Sequence, residues 1–311
     1  MKLGFVGYGE AAKIISGGLK EEGLQEQYAW DINWQVSEQE SPAATYVESM
    51  EELFSTCDVI MCLTPASASI AVAEQCKEYM TKDHIYVDAS SSSPKVMEKV
   101  WDIIKDTGVQ FADGALLDTV PKYRHKTPLV LAGNGAQAAY NVLVTYGMKA
   151  EVVGTEPGSA CAIKMLRSVY TKAHLACAFE MLEAAVHYGV EDYIMASLAK
   201  TMDEKDFITG MSSRTCGGVI HATRRSEELA MAAEMMEEAG LWADVAKIGS
   251  EKLCEIGNLN LKEKLGTYRP KTWKEAIYLV KKAKEEKNNW FKFCFKKNSA
   301  HVIMCTVFWC G

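Results

Sequence analysis

The stretch Lys2-Leu3-Gly4-Phe5-Val6-Gly7-Tyr8-Gly9-Glu10-Ala11-Ala12 narrows the fold more than any other part of the chain. Lys2 to Val6 is short, apolar and β-prone, as a buried parallel strand would be. Gly7-Tyr8-Gly9-Glu10-Ala11-Ala12 then fits a G-x-G-x-x-G/A turn, and residues 11–20 carry small and apolar side chains at helical spacing. In such a turn Gly7 permits the tight bend and Gly9 lets a pyrophosphate approach the backbone. Ala12 allows close packing of helix on strand, with the helix N-terminus facing the anion. An ordinary glycine-rich turn fits the same residues. The context favours a dinucleotide, because Gln27-Tyr28-Ala29-Trp30-Asp31 supplies an acidic residue about 22 positions beyond Gly9. That is where an acceptor for the adenine-ribose hydroxyls is expected.

The first half alternates strands and helices, as βαβ units do. Strands are expected at 58–63, 84–88, 109–113, 128–132 and 149–154, with helices near 48–55, 68–80 and 95–106. At Thr155-Glu156-Pro157-Gly158 the texture changes to a helix opening, with Thr or Ser available as the cap. About 30 residues then run without a breaker to Gly189, a helix of about 45 Å. Further helices are expected at 191–201, 203–213, 217–239, 242–256 and 272–286. The expectation is an α/β fold. A Rossmann-like doubly wound domain at 1–155 is joined by a long helix to an all-α domain at 156–287. Residues 288–311 are expected to form an accessory or disordered tail; the apolar stretch within it, 301–310, is about ten residues, well short of the ~20 of a membrane helix.

Composition agrees. The 311 residues are 48% hydrophobic and 24% charged, ordinary for a globular protein. A net charge of −7 with no basic aromatic stripe before the C-terminus argues against nucleic acid as a partner. Met1 leads straight into the first strand, so no signal or transit peptide is expected, and the compartment expected is the cytoplasm. Ten scattered cysteines without C-x-x-C or zinc spacing read as reduced thiols rather than metal ligands.

Three further groups carry candidate chemistry. Ser90, Ser91, Ser92 and Ser93 precede Pro94; they can cap the next helix or line a ligand site at the C-terminal edge of the sheet. Lys164, Arg167, Ser168, Thr171 and Lys172 share one face of the long helix. That stripe is either a solvated face or the place of a general acid/base. In the second case Lys164, partly buried beside Arg167, has its pKa lowered. His221, Arg224 and Arg225 can clamp an anion, although helix-surface pairs with Glu227, Glu228 or Glu234 are the favoured reading. His174 and His187 read as residues of the core's edge.

The order of Gly7-x-Gly9-x-x-Ala12, Asp88-Ala89-Ser90-Ser91-x-Ser93-Pro94 and Gly158-x5-Lys164 resembles the β-hydroxyacid dehydrogenase/6-phosphogluconate dehydrogenase-like superfamily of NAD(P)-dependent oxidoreductases, over roughly residues 1–260. The segment His221–Glu228 is similar to a subgroup with a poorly characterised helical C-terminal domain. The resemblance implies cofactor binding by Gly7, Gly9 and Ala12; Tyr8, Glu10 and Ala11 in the same turn, Asp31, and Leu63, Thr64 and Pro65 at the end of the strand 58–63 are the further cofactor-binding candidates. It implies substrate binding by Ser90 and Ser91, with Lys164 as catalytic acid/base, and a homodimer built through the helical domain; Arg167 and Ser168, beside the lysine on the helix, are further substrate-binding candidates. No metal is implied. NAD is expected over NADP, because Asp31 repels a 2′-phosphate and no Arg or Lys stands among the next ten residues. Two departures stand out. Asp113-Gly114-Ala115-Leu116-Leu117-Asp118 replaces the family's carboxylate-holding Ser-Gly-Gly, and the Asn expected one turn after the lysine is absent. The function expected is hydride transfer between a nicotinamide and the hydroxyl/carbonyl carbon of a small polar substrate. The alternatives are a non-catalytic dinucleotide-binding sensor or scaffold, or an imine/keto reductase of the same superfamily.

Overall fold

The computed structural model describes residues 1–33 and 43–297. The first part runs β1 (Leu3–Val6), α1 (Glu10–Glu21), β2 (Gln27–Trp30), β3 (Thr45–Tyr46), α2 (Met50–Thr56), β4 (Val59–Cys62), α3 (Ser69–Cys76), β5 (Ile85–Asp88), α4 (Pro94–Ile104), β6 (Gln110–Leu116), α5 (Val120–Tyr123), β7 (Leu129–Ala132), α6 (Ala136–Thr145) and β8 (Ala150–Gly154). These strands form one eight-stranded sheet in the order β3-β2-β1-β4-β5-β6-β7-β8. All neighbours are parallel except β6 and β7.

The sheet is covered on both faces: β1, β4 and β7 are apolar and buried at every position, not every second one. Phe5, Met61, Val87 and Ala112 pack with Ile15 and Leu19 of α1 and Leu143 of α6. Their strand neighbours Val6, Ile60, Tyr86 and Phe111 pack with Leu53 of α2, Val72 of α3 and Met97 of α4. The doubly wound fold expected from the βαβ rhythm is therefore present.

Several elements depart from expectation. The short β3 and α6 were not expected. The single helix α9 (Phe207–Glu238) replaces the two at 203–213 and 217–239, with non-helical dihedrals only at His221. Arg225 Nη1 reaches back across that kink to the Arg214 carbonyl at 3.2 Å. The helix expected over 272–286 runs as α12 (Trp273–Lys297), through the first ten residues of the supposed tail; the remainder of that tail, 298–311, lies outside the described residues.

The long helix α7 (Ser159–His187) is followed by α8 (Glu191–Asp203), α9, α10 (Asp244–Gly257), α11 (Leu261–Leu265) and α12. The chain divides into two compact units, residues 1–171 and 172–311, with the boundary inside α7. The second unit holds two small cores. Val219 and Ile220 of α9 pack with Ala276 and Ala283 of α12. Ala184 of α7 packs with Ala233, Met236 and Ala246. Both Glu180 carboxylate oxygens accept from the first turn of α10, the amides of Val245 and Ala246, at 2.9 Å. They serve the N–H groups that Ala243, lacking a polar side chain, leaves uncapped. His174 and His187 are exposed rather than at the core's edge.

Candidate functional site

The glycine turn is shaped for close approach. Gly7 lies at φ +84, and a Cβ there would stand 2.8 Å from Thr64 Cγ2, so no other residue fits the bend without displacement. A Cβ on Gly9 would meet nothing within 4 Å. Gly9 is the N-cap of α1 and offers no side-chain cap, so the first-turn amides of Glu10, Ala11 and Ala12 present a positive helix end to that open space. Ala12 is buried against the sheet. The Tyr8 side chain turns inward, its hydroxyl at 2.9 Å from Ser16 Oγ, leaving only its backbone at the turn. That backbone N–H donates to Asp31 Oδ2 at 2.6 Å, and Asn33 N–H donates to Oδ1 at 2.8 Å. Asp31 is thus fixed beside the loop, with further lone pairs on each oxygen available to hydroxyl donors. Leu63 N–H bonds Val6 O at 2.9 Å, which places Leu63, Thr64 and Pro65 beside the same turn. The uncapped helix end, open Gly9 and anchored Asp31 fit a dinucleotide.

The serine run follows β5. Asp88 Oδ1 accepts from Ser90 N–H at 3.0 Å, Ser90 Oγ is 2.8 Å from Ser69 Oγ, and Ser93 caps α4 through Val96 N–H at 3.3 Å. The capping reading therefore holds for Ser93, and Ser90 and Ser91 take no part in that cap. Ser91 lies at φ +63, a left-handed conformation costing a non-glycine residue about 1 kcal/mol or more. In that conformation its Oγ receives Lys164 Nζ at 2.5 Å. Lys164 is half-buried, and burial pulls its pKa below the ordinary lysine value, with Cys161 opposing. The cause is not Arg167. That residue is exposed, three positions further along α7, and Ser168 beside it is half-buried.

Two buried carboxylates bond to the segments that carry Ser91 and Lys164. Asp88 and Asp113 are register partners on β5 and β6, and both are fully buried. Burial pushes Asp88 up to about 6 against the bonds from Ser90, and Asp113 adds to the rise. Asp113 Oδ2 accepts three backbone N–H groups at the start of α7, from Gly158 (2.9 Å), Ala160 (3.0 Å) and Cys161 (3.2 Å). Cys161 Sγ donates to Oδ1 at 2.9 Å. The cap of the long helix is thus a residue 45 positions earlier, not Thr155 or Ser159. In place of the expected anion-holding loop the protein has a carboxyl group of its own, bonded to a helix end, its pKa raised by burial against the bonds from Cys161, Gly158 and Ala160. Gly158, at φ +94, lets α7 begin against α4; a Cβ there would lie 2.9 Å from the Pro94 carbonyl.

Residues 2–154 match the NAD binding domain of 6-phosphogluconate dehydrogenase, and residues 185–253 match a domain of unknown function, DUF1932. The chain belongs to the 6-phosphogluconate dehydrogenase-like superfamily. Its first domain is an NAD(P)-binding domain. The solved conserved protein MTH1747, described as structurally similar to 3-hydroxyacid dehydrogenases, is 26% identical, with a TM-score of 0.59 over 83% of this chain and 98% of its own. Mitochondrial 3-hydroxyisobutyrate dehydrogenase of Drosophila melanogaster is 24% identical over 203 residues, 63% of this chain; the match spans 62% of the fly protein. An imine reductase from Myxococcus stipitatus, solved with NADP+, shares the fold at 15% identity, with a TM-score of 0.66 over 83% of this chain and 94% of that one.

Within that superfamily frame, the glycine turn with Asp31 forms one cluster, and the serine run with Lys164 another, both in the first unit. Arg224 and Arg225 do not join them: Arg224 pairs with Glu228 at 2.6 Å on the helix surface, and Arg225 is committed to Arg214 O. A groove of about 460 Å³ in the second unit, lined by Met181, Ala184, Tyr188, Leu229, Met235 and Met236 among others, is almost wholly apolar and offers no acid/base pair. Among the described residues, no three His, Cys, Asp or Glu stand close enough to hold a metal ion. Sequence reasoning missed the roles of Asp88 and Asp113. Their only signal is an aspartate ending each of two apolar strands, and its meaning depends on contacts far apart in the chain.

Proposed function

We propose that the protein is an NAD(P)-dependent dehydrogenase/reductase acting on the hydroxyl/carbonyl carbon of a small polar substrate, with Lys164 as its general acid/base. The observation that carries this is the contact of a half-buried, pKa-lowered Lys164 with Ser91 at the C-terminal edge of the dinucleotide-binding sheet. A bound nicotinamide would supply or accept the hydride. Lys164 in its neutral form takes the proton from a substrate hydroxyl and, protonated, returns one to a carbonyl oxygen; a lowered pKa makes both forms accessible nearer neutral pH. Ser90 and Ser91 offer hydroxyls that orient the substrate oxygen. Arg167 and Ser168, one turn along α7, are candidates for a charged or polar group on the substrate. The turn at Gly7–Ala12 and Asp31, with Leu63, Thr64 and Pro65, would hold the cofactor, and Asp31 favours NAD over NADP.

The protein acts as a homodimer in this reading. Phe179, Val186, Tyr193, Trp242 and Ile248 of the second unit are each more than half exposed, a larger apolar surface than a monomer ordinarily leaves in water. No described helix is long and apolar enough to cross a membrane. The described cysteines are free thiols, in keeping with a cytoplasmic setting. The test is oxidation of a panel of hydroxy acids and reduction of a panel of ketones, followed at the absorbance of the reduced cofactor. Lys164→Ala should lower kcat about 10²–10⁴-fold with NADH affinity little changed. A variant turning over like wild type removes Lys164 from the chemistry, and a wild type that binds NADH yet transforms nothing supports a sensor.

A further inference from the structure

Lys164 and Ser91 come from different elements, and their meeting depends on how each backbone is held. On the serine side, Asp88 closes the turn by accepting from Ser90 N–H at 3.0 Å, immediately before Ser91 enters its left-handed conformation. On the lysine side, Asp113 gathers three amides and a thiol at the start of α7, and Lys164 lies one helical turn beyond Cys161. The two carboxylates occupy the same rung of adjacent parallel strands and are both fully buried. No local residue replaces Asp113: the hydroxyl of Thr155 turns to Glu156. The Gly158–Pro94 approach brings the two backbones together at the same place.

We infer that Asp88 and Asp113 are paired positioning residues for the acid/base site, one fixing the turn that presents Ser91 and the other fixing the helix start that presents Lys164. Neither carboxylate touches the reacting atoms. Burying two carboxylates side by side is unfavourable for folding alone, because like charges in a dry site oppose each other's ionisation. Three charge-assisted bonds into one helix end compensate for this at Asp113. The proposal rests on the reading of Lys164 as the acid/base and adds what holds it in place.

The test follows the Lys164 ammonium itself and needs no substrate. In the full-length protein labelled with 13C at the lysine ε-carbon, the Lys164 signal is assigned by its absence in Lys164→Arg and titrated. The titratable groups on the elements packed around it are Cys161 on its own helix, Asp88 and Tyr86 on β5, Asp113 on β6 and Cys62 on β4. Wild type should titrate below the ordinary lysine value. Asp113→Ala should release the first turn of α7, admit water to Lys164 and raise its midpoint by about half a unit or more. Asp113→Asn removes the same charge but keeps an oxygen acceptor for the helix start, so its midpoint should lie below that of Asp113→Ala, and Asp88→Ala should raise the midpoint through the Ser91 turn. Leu143→Ala, a buried truncation on α6, should lower Tm and leave the midpoint alone. Unchanged or lowered midpoints in the folded Asp113→Ala and Asp88→Ala variants, or an equal rise in Leu143→Ala, would overturn the proposal. Normal turnover by Lys164→Ala would overturn the acid/base reading instead, so the two failures are told apart.

Discussion

Asp88→Asn should make the protein more stable at neutral pH. The Asp88 carboxyl is fully buried, its Oδ2 has no hydrogen-bond partner among the described residues, and the same is true of the Tyr86 hydroxyl on the same face of β5. Burial raises its pKa from 3.8 to about 6. A raised carboxylate pKa means that the folded chain binds the proton more tightly than the unfolded one. Stability from this group is therefore fully present below about pH 4 and is lost as pH rises through about 6. A displacement of about two units at 1.36 kcal/mol each amounts to about 3 kcal/mol. Asparagine has no such titration, and its oxygen can still accept from Ser90 N–H. Urea unfolding of wild type and variant, side by side from pH 4 to pH 8, should show the variant gaining on wild type by about 3 kcal/mol across that window. Far-UV circular dichroism and tryptophan fluorescence should both be recorded, because two units need not unfold together. Parallel pH dependences would refute the reasoning and mean that Asp88 titrates alike in both states. A variant losing ground as pH rises would refute it too.

Titration with NADH and NADPH should give the tighter constant for NADH, since Asp31 is pinned by Tyr8 and Asn33 amides beside the turn; tighter NADPH binding would mean that Asp31 does not face the ribose. Light scattering should give a dimer mass for wild type, shifted toward monomer by Phe179→Glu, a charge placed on a side chain 70% exposed in the single chain. A monomer mass that does not change with concentration would contradict the dimer.

The dinucleotide fold was legible because its signals are local: an apolar strand, two glycines two residues apart, a helix, and an acid at the end of the next strand. The elements missed are those with little local signal. β3 is two residues long, and α6 opens at Gly135 without a side-chain cap. The reversal of β7 against β6 is a matter of pairing that no short stretch records. The break expected at 214–216, just before Gly217 and Gly218, is absent: the helix continues through all of them, and its kink falls at His221, inside the second expected helix. At the site, Lys164 and the serines were visible as residue types in order. Their support was not, because Asp113 caps a helix 45 residues away and Asp88 acts from the strand below. Lys164 was expected to be tuned by Arg167, its neighbour on a helical wheel. It is tuned by burial, which a wheel does not show.

The most direct test of the account is the pH dependence of kcat in both directions, measured on wild type and Lys164→Ala with one substrate pair that the wild type converts. Oxidation should rise with pH through an apparent pKa below the ordinary lysine value of 10.5, and reduction should fall through a matching one. Both limbs should vanish in the variant, whose residual rate should be flat and about 10²-fold or more lower. Retention of the same limbs by Lys164→Ala would contradict the account, because the titrating group would then be another residue.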